Sequence, residues 1–160
     1  MANADLLKQT ECLVDVLGIR TGKAILRGSA YRMLESREIL EMAHSGLVEF
    51  GAHTCSHAIL SGLSEADRKR EIVNSIAAVE RLTGVPCSLF AYPKGGRSDY
   101  GRFDVGVLRE SQISVAVTTV HGPNDASVPT LEMRRYCIGA GTRLSQFKLM
   151  THHVLWKLRN

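Results

Sequence analysis

His53 and His57 stand four positions apart at the end of an apolar run, Val48-Glu49-Phe50-Gly51-Ala52. A neutral imidazole offers one lone pair on a rigid ring, and two such rings brought together by a tight turn can chelate zinc or a similar divalent ion. The same spacing also fits an exposed loop histidine beside a hydrogen-bonded structural one, so a metal reading needs further residues. Cys55 lies between the pair; it either adds a soft ligand or, as expected here, turns into packing as a small apolar thiol. Thr54 and Ser56 are expected to shape the turn through side-chain to backbone hydrogen bonds. A second strand-like run, Ser88-Leu89-Phe90-Ala91-Tyr92, breaks at Pro93-Lys94-Gly95-Gly96.

Length and composition bound what could position these residues. A chain of 160 residues, 44% hydrophobic and 22% charged, is expected to form a single domain, residues 1–160, with a real core. The net charge of +4 comes from Lys and Arg scattered among acids, which argues against a nucleic-acid partner. Cys12, Cys55, Cys87 and Cys137 form no C-x-x-C pair, and three lie in apolar runs, so no disulfide framework is expected. Asp5, Lys8, Glu11, Asp15, Arg20 and Lys23 interrupt the first thirty residues, and no apolar run approaches membrane-spanning length. As written, the chain is expected to carry no signal peptide and no membrane span and to be cytoplasmic; a longer natural chain would place it at the cell envelope.

Apolar spacing predicts a first helix over 5–17, a helix capped by Ser36 and ended by Ser45-Gly46, and a strand over 48–53. Ser64 then caps the longest helix, whose Ile72, Ile76, Val79 and Leu82 make one stripe and which stops at Gly84. A strand at 87–92, a glycine-rich loop to Gly101, a short helix at about 104–110, strands at 114–119 and 133–138, and a helix over 143–158 complete the chain. The alternation implies an α/β fold with parallel strands, and with active residues at the strands' carboxyl ends, where His53 and Tyr92-Pro93 lie.

Taken in order, Leu-Val-Glu-Phe-Gly-Ala-His-Thr-x-Ser-His, the helix carrying Glu71-Ile72, and Phe-Ala-Tyr-Pro-x-Gly resemble the polysaccharide deacetylase family, carbohydrate esterase family 4, the NodB homology domain. The resemblance runs from Gly46 to Arg135. It implies a partial or distorted (β/α) barrel and a metal-dependent hydrolase that removes acetyl groups from a cell-surface or exopolysaccharide glycan. In that family a His-Ser/Thr-x-x-His motif supplies two metal ligands, which are His53 and His57 here, with zinc the expected ion. The family's Arg-x-Pro-x-Gly turn falls on Ala91 to Gly95. The resemblance therefore implies Lys94 as the backbone oxyanion donor and Tyr92 and Pro93 as a wall of the substrate groove, while the arginine is replaced by Ala91.

Two departures accompany the match. The family's paired aspartates, general base and third metal ligand, have no counterpart, because the acids before His53 are Asp5, Glu11, Asp15, Glu35, Glu38, Glu41 and Glu49. Asp99 and Asp104, in the loop after Pro93, are the local candidates to replace them. The family's late general acid is also unassigned, with His121 and His152 as candidates; His152 and His153 read as solvent-facing helix residues. The expected partner is an acetylated polysaccharide or oligosaccharide, and an open sheet edge would invite self-association. The alternative is a non-catalytic glycan-binding or polysaccharide-assembly subunit, and a zinc-stabilised structural module is a third reading.

Overall fold

The computed structural model describes residues 32–151 together with Lys8, Cys12, Leu13 and Val16. Two compact units divide the chain, Met1–Glu49 and Phe50–Asn160. The helix expected at 5–17 and the segment 21–31 fall outside the described residues, apart from those four positions.

In the first unit the described element is helix α1 (Ser36–His44). Ser36 is not its cap; Glu35 occupies that position with extended backbone. The reason is Glu38, whose carboxylate accepts the Glu35 N–H at 2.8 Å and two bonds from the Arg32 guanidinium at 2.7 Å. Those bonds, Arg32 first, hold the Glu38 carboxyl at about 2. A carboxylate three residues into a helix thus satisfies an amide that a serine cap would have left to water.

The second unit is built on a three-stranded parallel sheet in the order β1 (Leu89–Ala91), β2 (Val115–His121), β3 (Met133–Arg135). The strand expected at 48–53 contributes one parallel rung, Ala52 against Phe90, with Ala52 N–H donating to Leu89 O and Ala91 N–H to Ala52 O, both at 2.9 Å. Gly51 permits that approach, since a Cβ there would lie 3.0 Å from the Leu89 Cβ. Helix α2 (Glu65–Thr83) precedes β1 and helix α3 (Arg102–Glu110) links β1 to β2. Short 3-10 turns at Leu60–Gly62 and Thr130–Glu132 close the connections. This is the strand-helix alternation of part of a (β/α) barrel.

The boundaries of α2 follow its local chemistry. Ser64 Oγ accepts the Asp67 N–H, and Gly84 ends the helix in the left-handed conformation at φ 74. Its buried face is Ile72, Ser75, Ile76 and Thr83, with Val79 packed against the core; Leu82, expected on that stripe, is only half-buried. Thr83 enters the core because its hydroxyl donates to Val79 O at 2.8 Å. Phe90, Tyr92, Val107, Leu108, Ile113, Ala116 and Leu131 fill the space between sheet and helices. Cys87 is buried, whereas Cys12, Cys55 and Cys137 are exposed. In helix α4 (Leu144–Thr151), Leu144, Phe147 and Leu149 are exposed. No helix of the described residues is long and apolar enough to cross a membrane.

One buried ion pair ties α2 to α3. Asp104 is fully buried; its Oδ2 accepts the Gly101 N–H at 2.8 Å and Arg68 at 3.4 Å, while Oδ1 has no partner. Arg68 also donates to Leu63 O and Ser61 O. Burial pushes the Asp104 carboxyl above its ordinary 3.8, against the Gly101 amide and Arg68, which pull it down. The fold therefore favours the protonated acid: this contribution is fully present below 3.8 and is lost as pH rises through the folded-state value. Arg68→Leu removes a stabilising partner, widens that window, and is expected to cost about 3 kcal/mol at neutral pH because a buried charge is left uncompensated. Urea unfolding at pH 7 and pH 4.5 tests this; an equal loss at both pH values would refute the ion-pair account.

Candidate functional site

The two imidazoles meet. His53 follows the Ala52 rung directly, and His57 returns toward it after a loop with Thr54 at φ 61 and His57 at φ 56. The ring centroids are 4.8 Å apart and the planes 76° apart. His53 Nδ1 lies 2.6 Å from the Ala91 carbonyl oxygen. A carbonyl only accepts, so Nδ1 carries the proton and the lone pair is left on Nε2, the tautomer a metal ligand needs. Ala91, which lacks the family's arginine side chain, still orients a histidine through its backbone.

A left-handed threonine is strained by roughly 1–3 kcal/mol, so the loop needs an external hold. Glu71 supplies it from α2. Its Oε2 accepts the Cys55 and Ser56 N–H groups at 2.8 and 2.9 Å, and its Oε1 accepts the Ser56 hydroxyl at 2.8 Å. Ser56 thus bonds a carboxylate rather than backbone, and the Thr54 hydroxyl, expected to brace the turn, is buried with no partner. Cys55 is exposed rather than packed; its thiol is pushed up by burial of the sulfur and by Glu71.

The glycine turn is fastened to the next strand. Tyr92 N–H donates to Val117 O, Thr119 N–H to Gly95 O at 2.9 Å, and the Thr119 hydroxyl to Lys94 O at 2.5 Å. Lys94 and Gly95 are both left-handed, at φ 57 and 70. Among the described residues the Lys94 N–H meets no acceptor, which leaves it available as a donor. Tyr92 and Pro93, expected to wall a groove, are instead buried. The Tyr92 ring faces inward, stacked on Tyr100 at 3.9 Å with its hydroxyl donating to Leu131 O at 2.9 Å, because alternation along β1 puts it on the same side as Phe90. It anchors the turn from below.

The candidate acids and bases are placed elsewhere. Asp99 accepts the Gly96 N–H at 2.8 Å and closes its own loop; Asp104 pairs with Arg68. His121 ends β2, on the same edge as the histidine pair's strand ends, with its ring edge-on to Tyr136 at 4.8 Å. His152 and His153 lie outside the described residues. No group of three His, Cys, Asp or Glu suited to a metal is gathered among the described residues. The nitrogen donors brought together are those of His53 and His57, whose ring centroids stand 4.8 Å apart, two of the three or four ligands a zinc ion takes from protein.

Glu71 is the residue sequence reasoning used only as part of a pattern. Glu71→Ala is expected to weaken zinc or cobalt binding about 10–100-fold, the usual cost of losing a group that orients a ligand. A competitive zinc titration checks it; Glu71→Gln, keeping one acceptor oxygen, should fall between.

The family model described as polysaccharide deacetylase matches residues 7–106. Among solved structures, a Streptococcus pyogenes deacetylase in complex with acetate is 23% identical, TM-score 0.67, covering 77% of this chain and 52% of its own. A polysaccharide deacetylase from Bacillus cereus is 29% identical, TM-score 0.62, over 72% of this chain and 35% of its own. IcaB from Ammonifex degensii is 24% identical, TM-score 0.55, over 68% and 49%. This chain thus spans between about a third and a half of these structures. No curated protein matches it.

Proposed function

This chain belongs to the polysaccharide deacetylase family, and on that premise we propose that it removes acetyl groups from an acetylated polysaccharide or oligosaccharide with the help of a divalent ion, zinc by expectation. The observation that carries the reading is the juxtaposition of His53 and His57, with His53 fixed by the Ala91 carbonyl at the head of the Pro93 turn.

His53 and His57 would hold the ion, which supplies Lewis-acid polarisation and a water of lowered pKa. The Ala91 carbonyl keeps the Nδ1 proton of His53 in place and so leaves the ring's lone pair on Nε2. Glu71 holds the loop against its own backbone strain. The Lys94 N–H, left-handed and without an internal acceptor, is the donor for the oxygen on which charge develops as the acetyl carbon is attacked. Removing one such donor typically costs about 10²–10³ in turnover.

The second reading, a glycan-binding or assembly subunit without turnover, is favoured by Asp99 and Asp104 being committed to loop closure and an ion pair, which leaves neither as a base. One experiment separates the two: zinc content and acetate release from acetylated chito-oligosaccharide, with calorimetry on the same ligand. Metal-dependent acetate release supports the hydrolase. Saturable binding with no release supports the binding subunit, and neither result sinks both.

A further inference from the structure

Beside α3 runs a groove of about 410 Å³ that the deacetylase site does not use, lined by Arg97, Tyr100, Arg102, Gly106, Arg109 and Glu132. Arg102 and Arg109 are seven positions apart, which on a helix places them on one face about 10 Å apart along the axis. Gly106 lies between them, and a Cβ built there meets no atom within 4 Å, so the helix opens the groove at its middle. Arg97 enters from the loop that follows the Gly95-Gly96 turn, three residues after Lys94.

The charge is not neutralised from within. Arg32, Arg68, Lys69 and Arg70 each have a carboxylate within ion-pair distance, whereas Arg97, Arg102 and Arg109 have none among the described residues. The groove's one acid, Glu132, accepts the Tyr100 hydroxyl at 3.0 Å. Three guanidiniums against one carboxylate leave an excess of two positive charges along an open channel. Guanidinium forks match carboxylate and phosphate oxygens in pairs. Tyr100 stacks on Tyr92, so one packed ring pair joins this groove to the base of the Pro93 turn.

We infer that this groove binds an acidic stretch of glycan, with carboxylate or phosphate groups about 10 Å apart engaged by Arg102 and Arg109 and a further one by Arg97. The inference rests on the family reading for its choice of a glycan, and it assigns the chain an anionic polymer held alongside the acetyl-bearing segment. Charge complementarity selects the ligand class, and the spacing of the two helical arginines selects a polymer over a single small anion.

The test is calorimetry of the full chain with an oligogalacturonate hexamer, a neutral chito-oligosaccharide hexamer, inorganic phosphate and a single-stranded oligonucleotide of matched charge. Oligogalacturonate should bind, and Arg102→Ala with Arg109→Ala should weaken it at least tenfold. Gly106→Trp should do the same by filling the groove; since tryptophan is a better helix former than glycine, an unchanged melting temperature would show the fold intact. Acetate release from the neutral substrate should not change in either variant. No oligogalacturonate binding, binding indifferent to both variants, phosphate bound as tightly as the hexamer, or the oligonucleotide bound more tightly, would each overturn the inference. If the hexamer binds as described but no acetate is released, the groove stands and the hydrolase reading fails.

Discussion

Replacing His53 and His57 together by alanine is expected to strip the protein of zinc and to reduce acetate release to the level of chelator-treated protein. Groups that only orient a ligand are worth about 10–100-fold in metal affinity, so losing both donors should cost more than about 100-fold. The fold should survive. Both residues are exposed, and the loop that carries them is held by Glu71 through backbone amides and Ser56, not through the rings. Metal analysis after dialysis, with a melting curve on the same sample, provides the check. Zinc retained at wild-type stoichiometry by the double variant would remove the pair from the site, and with it the reason for reading the Pro93 turn as catalytic.

Gly95→Ala is expected to be severely damaging for a single added methyl group. Gly95 sits at φ 70, and an added Cβ would stand 3.0 Å from both Thr119 N and Tyr92 O and 3.3 Å from Thr118 C. All three are backbone atoms, on β2 and at the end of β1, so no side-chain rotation relieves the contact. Left-handed strain alone costs about 1–3 kcal/mol. The turn must also move away from β2, breaking the Thr119 N–H bond to Gly95 O and carrying the Lys94 amide with it. Turnover should fall about 10²–10³-fold, as when one oxyanion donor is lost, with KM little changed. Gly106→Ala is the control: its Cβ meets nothing, and alanine is the better helix former by up to about 1 kcal/mol. Gly95→Ala turnover within twofold of wild type would show that the turn takes no part in the reaction.

Much of the frame was legible because its signals are local. Ser64 and Gly84 bound α2 through bonds to residues within one turn, and the proline and glycines after Tyr92 end β1 by restricting or freeing the backbone where they stand. The histidine pair was legible for the same reason: four positions and a tight turn suffice to bring two rings together. The strand before His53 was overread, since an apolar run reports affinity for a core but not how many rungs a neighbour will accept; Gly51 admits one close approach, at Ala52.

What only the tertiary structure decided lies in pairings between distant residues. Glu71 reaches Cys55 across sixteen positions and Arg68 reaches Asp104 across thirty-six, and no periodicity carries such information. Tyr92 illustrates the physical reason most directly. Alternation along β1 says that it faces the same side as Phe90 and opposite to Ala91, but which face is buried depends on the helices and the Tyr100 ring that cover it. Backbone chemistry acts within a turn and can be read in order along the chain; burial and ion pairing act through space, so they exist only once the chain has closed on itself.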